Sequence, residues 1–181
     1  MCFGEYMIYK GSNLYNMSSC ETIELFYNIR TDLDKLNLAS YITKIINDVT
    51  TENQNSYKVL RLYLNTLYII SEKEKDSRLV LSVFKLKLIS ILGFMPEIKK
   101  CTECKSEENL RYFSLKSNGF KCETCGAVDK SSIKMQNGTK DAIRYTILSP
   151  IEKLYSFNIP EEIIRELDLI SKLYFNEKIE N

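Results

Sequence analysis

Two CxxC pairs, Cys101-Thr-Glu-Cys104 and Cys122-Glu-Thr-Cys125, stand seventeen residues apart. Each pair can place two sulfurs on one side of a tight turn, about the width that one metal ion requires. Four thiolates at this spacing match a tetrahedral zinc site. The stretch between the pairs has to double back. Leu110, Tyr112, Phe113 and Leu115 form an apolar run, Asn118-Gly119 predicts a two-residue hairpin turn, and Phe120 opens the return strand. Gly126, directly after the second pair, can take a positive φ that turns backbone N–H groups toward a sulfur; Lys105 holds the matching place after the first pair and suits it less. A disulfide pairing would need an oxidising compartment, of which the sequence carries no sign, and redox CxxC motifs do not come as matched pairs around a hairpin. A catalytic zinc keeps one position open, often beside histidine, whereas this chain has no histidine and a four-sulfur site is closed. The expected cofactor is therefore a structural Zn²⁺ held by Cys101, Cys104, Cys122 and Cys125.

The elements around the finger read as helical, after a short extended start. Tyr6-Met7-Ile8-Tyr9 and Leu14-Tyr15-Asn16-Met17 flank Gly11-Ser12-Asn13 and predict two strands and a turn. A lone hairpin is only marginally stable, so this one must pack on helices or join a larger sheet. From Ser19 the spacing turns helical, with Ile23, Phe26, Tyr27 and Leu33 as a first stripe, then Leu38, Ile42, Ile45 and Val49, then Leu60, Leu64, Leu67 and Ile70. A fourth helix, Asp76 to Phe94, is apolar on nearly every side and is expected to be buried. Arg78, Ser82 and Lys85 make a narrow polar stripe along it, which could receive a carboxylate-bearing partner or simply be solvated. Gly93 and Pro96 close that helix. Beyond the finger, Asn137-Gly138 predicts a turn, followed by a helix from Thr139 to Leu148 with Ile143, Ile147 and Leu148 inward. Pro160-Glu161-Glu162 starts a final helix whose inner face is Ile163, Leu167, Ile170 and Tyr174, and Glu177 to Asn181 are expected to fray.

Composition bounds the function. The chain has 181 residues, 44% hydrophobic and 27% charged, with six glycines and three prolines, which is a globular balance with room for one core and a small module. No apolar run reaches the roughly 20 residues that cross a bilayer, and the N-terminus lacks the pattern of a signal peptide. Cys2 and Cys20 remain as extra thiols, which fits a reducing cytosol, so a cytoplasmic location is expected. Net charge is +1, giving no bulk attraction to nucleic acid. Residues 99–134 carry eight basic and five acidic side chains, so DNA contact by the finger would depend on where charge is placed. There is no phosphate-cradling Gly-rich loop, and with no histidine the chain does not read as an enzyme.

A helical domain interrupted by such a finger resembles a known layout. Leu88-Ile89-Ser90-Ile91-Leu92-Gly93-Phe94-Met95-Pro96, then the first CxxC, then Tyr112-Phe113-Ser114 and Gly119-Phe120-x-Cys122-x-x-Cys125, closely resembles the bacterial RecO family of recombination mediators. Tyr9-Lys10-Gly11, Asn13-Leu14-Tyr15, Glu21, Phe26 and Ala39-Ser40-Tyr41 resemble that family's passage from barrel to helices. The resemblance implies a mainly α fold: a helical bundle at 20–181 with a zinc-finger insertion at 99–130, preceded at 1–19 by a β-hairpin like the last two strands of an OB barrel. About three barrel strands then lie outside this sequence. It also implies DNA repair and recombination without enzymatic activity, through binding of single- and double-stranded DNA, the acidic C-terminal tail of single-strand-binding protein, and RecR, with loading of the RecA recombinase. The tail would go to the helical domain, which gives Arg78, Ser82 and Lys85 a purpose. Lys99, Lys100, Arg111, Lys116 and Lys121 are the candidate phosphate contacts around the finger. Two other readings stay open at this level: a zinc-ribbon DNA-binding module unrelated to repair, and a protein–protein adaptor.

Overall fold

A computed structural model describes residues 1–12, 14–51 and 56–179. The chain opens on an antiparallel ribbon of β1 (Phe3–Lys10) and β2 (Tyr15–Glu24). Gly11 and Ser12 lie in the expected turn, while Asn13 lies outside the described residues. β2 runs to Glu24, so the helical period expected from Ser19 does not begin there. Cross-strand pairing of Ser19, Cys20, Glu21 and Thr22 with β1 overrides the local apolar spacing. Ile23 is consequently a strand residue, and it is exposed. Among the described residues of the ribbon, Met1 and Phe3 at its base are the hydrophobics that pack against the core. Tyr6, Ile8, Tyr15 and Met17 stay largely exposed.

The Glu24 carboxylate accepts from the N–H groups of Leu25 and Phe26 and turns the chain into α1 (Tyr27–Thr31). Asp32 stops that short helix and caps the next, accepting from Asp34 N at 2.9 Å and Lys35 N at 3.0 Å. Capping of this kind stabilises a helix start by about 1 kcal/mol. α2 (Leu33–Val49) buries Ala39, Ile42 and Ile45. α3 (Tyr57–Glu72) buries Val59, Leu62, Thr66, Leu67 and Ile70; its inner face is rotated from the expected one, leaving Leu60 exposed.

The central element is α4 (Ser77–Ile91), packed on by α2, α3, α6 (Asn137–Leu148) and α7 (Glu161–Ile179). Its near-continuous apolar sequence is what such enclosure requires. At its end Gly93 takes φ 97°, Phe94 N–H donates to Ile89 O at 2.9 Å, and Gly93 N–H to Ser90 O at 3.4 Å. That pair of bonds is a Schellman stop, which favours glycine at the left-handed position.

A three-stranded antiparallel sheet, ordered β4 (Gly119–Cys122), β3 (Leu110–Ser114), β5 (Ser132–Lys134), follows. The hairpin joining β3 and β4 is a four-residue connection, not the two-residue turn expected. Ser114 pairs with Gly119, and Asn118 closes the loop at φ 54°, with its N–H donating to Leu115 O. Residues 97–102 run beside β4, with Glu97 bridged in parallel to Gly119. The sheet is not a separate module. Phe113 and Phe120 are fully buried edge-to-face, and Phe113 meets Tyr174 of α7 at 5.1 Å. Helices and sheet share one hydrophobic core.

Two expectations near the C-terminus change. Asn137 and Gly138 are the first turn of α6 instead of a preceding turn, because Glu166 of α7 accepts from Gln136 N–H and the Thr139 hydroxyl and caps the helix from outside. Leu148 is exposed, while Ile143 and Ile147 are buried. α7 buries Ile163, Leu167, Ile170 and Tyr174 as expected and holds helical form to Ile179; Glu180 and Asn181 lie outside the described residues.

Candidate metal centre

The sheet positions the cysteines from its ends. Cys101 and Cys104 lie in a tight turn closed by Lys105 N–H donating to Cys101 O, with Lys105 itself at φ 64°. The left-handed position of the first knuckle is thus held by a lysine. Cys122 ends β4, and Cys125 lies in the first turns of α5 (Glu123–Val128). Gly126 is helical and has no positive φ. Its small size answers a different need, since a Cβ there would sit 2.3 Å from the Tyr112 ring.

All six cysteines are free. The four sulfurs of Cys101, Cys104, Cys122 and Cys125 lie within 4.8 Å of one another, with Cys104 and Cys122 3.7 Å apart. A tetrahedron with metal–sulfur bonds of about 2.3 Å has edges of about 3.8 Å, so the cluster is close to the required size. The donor set is uniformly soft and contains no carboxylate or imidazole. Cys101 is fully buried, Cys122 nearly so, and Cys104 faces solvent.

The thiols are electrostatically unequal. Burial pushes the Cys101 thiol up, but the N–H groups of Cys122, Glu103 and Cys104 aimed at its sulfur more than offset that, bringing it down to about 6. Cys125 is pushed up to about 12 by the Cys122 thiol beside it, by burial and by the negative Cys101. One sulfur ionises readily and another resists until a cation supplies counter-charge.

The structure separates the other predicted site residues. Arg78 is bound by two carboxylates: its guanidinium donates to Asp76 at 2.6 and 3.1 Å and to Glu161 with both distances 2.8 Å, tying α4 to α7. Ser82 is fully buried and returns its hydroxyl to Arg78 O at 2.7 Å. Lys85 is buried, with its ammonium 5.4 Å from the ring centroids of both Tyr41 and Phe175. Ser82 and Lys85 are therefore interior, and Arg78 alone of the stripe reaches the surface, where Asp76 and Glu161 already hold it. A hydroxyl satisfied by its own helix, and an ammonium caged by aromatic rings, can be buried where sequence reasoning assigned them to water.

Around the finger, Lys99, Lys100 and Lys116 are exposed and Arg111 is half-buried. Segment 97–102 carries Lys99 and Lys100 along the β4 edge, next to the loop that holds Lys116. Lys121 points the other way, buried between Glu103 and Asp129, and does not join that surface. Sequence reasoning missed Asp129, whose carboxylate collects Ser114, Ser131 and Ser132 hydroxyls. The Asp129-x-Ser131-Ser132 turn pattern was the available signal. It also missed Arg144, which reaches from α6 to donate to Ile98 O at 2.8 Å and lies over the Phe120 ring. No helix among the described residues is long and apolar enough to cross a membrane.

With this geometry in view, the comparisons with known proteins are consistent with one another. The sequence profile of the family described as "Recombination protein O C terminal" matches residues 30–181. A DNA repair protein RecO of Acetivibrio thermocellus is 35% identical over 181 residues, covering 99% of this chain and 72% of that protein. Proteins of the same name from Thermoanaerobacter sp. and Caldanaerobacter subterraneus are 34% and 32% identical over 175 residues, each covering 97% of this chain and 71% of theirs.

Proposed function

Because this chain belongs to the RecO family of DNA repair and recombination proteins, we propose that it works as a recombination mediator. In this reading it binds single- and double-stranded DNA and the acidic C-terminal tail of single-strand-binding protein, and with RecR it promotes strand annealing and RecA loading. The observation that carries the reading is the family match over residues 30–181, which takes in the helical core and the whole four-cysteine finger. A mediator makes and breaks no covalent bond, so we read the protein as non-enzymatic, acting in the cytoplasm. The barrel segment expected at 1–19 is read as extending through β2 to Glu24, with the helical domain after it and its finger at 99–130. The exposed apolar ribbon supports the first of these, since such a face belongs against further strands.

Zn²⁺ is the metal this reading assigns to Cys101, Cys104, Cys122 and Cys125, where it supplies positive charge and a tetrahedral tie between the two knuckles. For the acidic tail, Arg78 is the one member of its stripe near the surface; it would exchange Asp76 or Glu161 for an incoming carboxylate.

For DNA, Lys99, Lys100 and Lys116 are the phosphate contacts to test. Each contact to single-stranded DNA contributes about 0.7 to the slope of log affinity against log salt. Replacing all three lysines by glutamate should flatten the slope by about 2. An unchanged slope, measured by fluorescence anisotropy across a salt series, would remove the finger edge from the DNA interface. Absence of DNA binding in the unaltered protein would favour an adaptor.

A further inference from the structure

The sulfurs are not the only bridge between the two cysteine knuckles. Lys121 precedes Cys122 and is buried, its side chain only 6% exposed. An ammonium in such a place needs partners. Its Nζ lies 2.8 Å from Glu103 Oε2 and 2.9 Å from Asp129 Oδ2. Glu103 sits inside the first CxxC pair, and Asp129 follows the second. The lysine thus spans from one knuckle to the other on a route that passes through no sulfur.

Asp129 is itself held in place. Its Oδ1 accepts from Ser131 N–H at 2.9 Å and Ser131 Oγ at 2.7 Å; its Oδ2 accepts from Ser114 Oγ at 2.7 Å and Ser132 Oγ at 2.9 Å. Ser114 belongs to β3 and Ser132 to β5, so the carboxylate is anchored on the sheet. The sheet in turn is anchored on Tyr174 through Phe113 and Phe120. The first knuckle also has backbone ties of its own, Thr102 N–H to Phe120 O at 2.9 Å and Cys101 N–H to Ser106 O at 2.7 Å.

In a free-standing finger, metal binding supplies the folding free energy, and removing the metal unfolds the loop. Here the sheet packs on a helical core, and a charge network joins the knuckles, with Lys121 and Asp129 inside and Glu103 at the surface, its side chain 60% exposed. We propose that Lys121, bridging Glu103 and Asp129, is a metal-independent latch that keeps the two knuckles together and preserves the four-sulfur cradle when the metal leaves. The proposal rests on the four cysteines being a metal site. Lys121 touches no sulfur in this role and is a positioning residue. By holding the cradle formed, it raises metal affinity, because less order has to be created on binding.

The test uses the full chain, zinc-loaded and after zinc removal by a chelator under reducing conditions. Amide hydrogen exchange is followed in residues 101–105 and 123–128 for the unaltered protein, Lys121→Met, Asp129→Asn and Lys134→Met. Lys134 pairs with Glu123 at the surface of the same finger and controls for loss of a charge. The unaltered protein should keep its knuckle protection without zinc. Lys121→Met and Asp129→Asn should keep it only when loaded, and should release zinc to a competing chelator on the order of 10–100-fold faster. Lys134→Met should behave as the unaltered protein. The tetrathiolate charge-transfer spectrum of the Co²⁺-loaded variants should be unchanged, since the ligands are intact. Metal-free knuckles that exchange freely in the unaltered protein would overturn the proposal, as would full protection in metal-free Lys121→Met. If Lys121→Met does not fold, Asp129→Asn carries the comparison, because the asparagine oxygen still accepts from Ser131 while its NH2 donates to the Ser114 and Ser132 hydroxyls, which can turn to accept, and the charge that holds Lys121 is lost. A protein that takes up no zinc refutes the metal reading, and the exchange data on it still judge the latch.

Discussion

Truncating Phe113 to alanine tests whether finger and helices form one cooperative unit. The ring is fully buried in β3, with its centroid 6.1 Å from Phe120 and 5.1 Å from Tyr174, both at near-perpendicular angles. Phe→Ala in a core costs about 3–5 kcal/mol, more where the walls cannot collapse. One wall here is a hydrogen-bonded strand and the other is α7, and two edge-to-face contacts are lost, each worth about 0.5–1.5 kcal/mol beyond area. The upper half of the range follows, about 4 kcal/mol. Against a total stability of about 5–15 kcal/mol this is a large fraction. At about 2–4 °C per kcal/mol for a chain of this size, Tm should fall by roughly 8–16 °C. The assay is urea unfolding of the zinc-loaded protein followed by far-UV circular dichroism, which reports the helices. If the finger shares the core, the helical transition itself moves to lower urea with an unchanged slope. A shift of the helical transition worth less than about 1 kcal/mol, with any loss confined to a separate finger signal, would refute the one-core reading.

Two further outcomes follow from single side chains. Lys87 of α4 donates to Ile147 O at 2.8 Å and Ser149 O at 2.6 Å, closing the end of α6. Lys87→Met should cost about 1.5–3 kcal/mol, the range for hydrogen bonds to a charged group, and should speed amide exchange in the last turn of α6. Asp76→Asn keeps a helix cap but loses the ionic bond to Arg78, at a cost of about 0.5–1 kcal/mol at neutral pH. The Arg78 guanidinium holds the Asp76 carboxyl below its usual range, so its stabilisation is present above the unfolded value near pH 4 and is lost as pH falls through the lower folded value. Urea melts of Asp76→Asn and the unaltered protein should therefore converge in acid; a constant gap would exclude the ion pair as the cause.

What could be read in advance followed the range of the interactions involved. The cysteine pairs announce their chemistry within four residues each, and the apolar sequence of α4 announces enclosure on most sides. Its polar residues were harder to place. Ser82 and Lys85 counted as surface by type, yet one is satisfied within its own helix and the other stands over Tyr41 and Phe175. Nothing local encodes those rings, which arrive from α2 and α7. The helical reading of 19–24 fails for a related reason, because this stretch pairs with β1 and the apolar spacing of Ile23, Phe26 and Tyr27 fits a helix equally well. β5, at three residues, and α5, at six, are too short to establish a period. The hairpin loop takes four residues where Asn118-Gly119 predicts two: Asn118 supplies the left-handed residue, and Gly119 is already paired with Ser114.

The same inward pairing decides how the finger's charge should be counted. Residues 99–134 hold eight basic and five acidic side chains. Lys121 is bound to Glu103 and Asp129, and Lys134 to Glu123. Setting these pairs aside leaves six basic residues, Lys99, Lys100, Lys105, Arg111, Lys116 and Lys130, against Glu107 and Glu108. The Lys121 pairs withdraw two acids for one base, and the surface pair Lys134–Glu123 is neutral, so the remaining charge is more positive than the bulk count suggests. Lys99 and Lys100 lie on the segment that runs beside β4, Lys116 lies in the loop that leads into it, and all three are exposed. A charge reversal at Lys121 would instead place two carboxylates and a third acid together in a buried site and damage the fold. Any loss of DNA binding in that variant would say nothing about phosphate, which is why the salt series belongs to the edge lysines and the exchange experiment to Lys121.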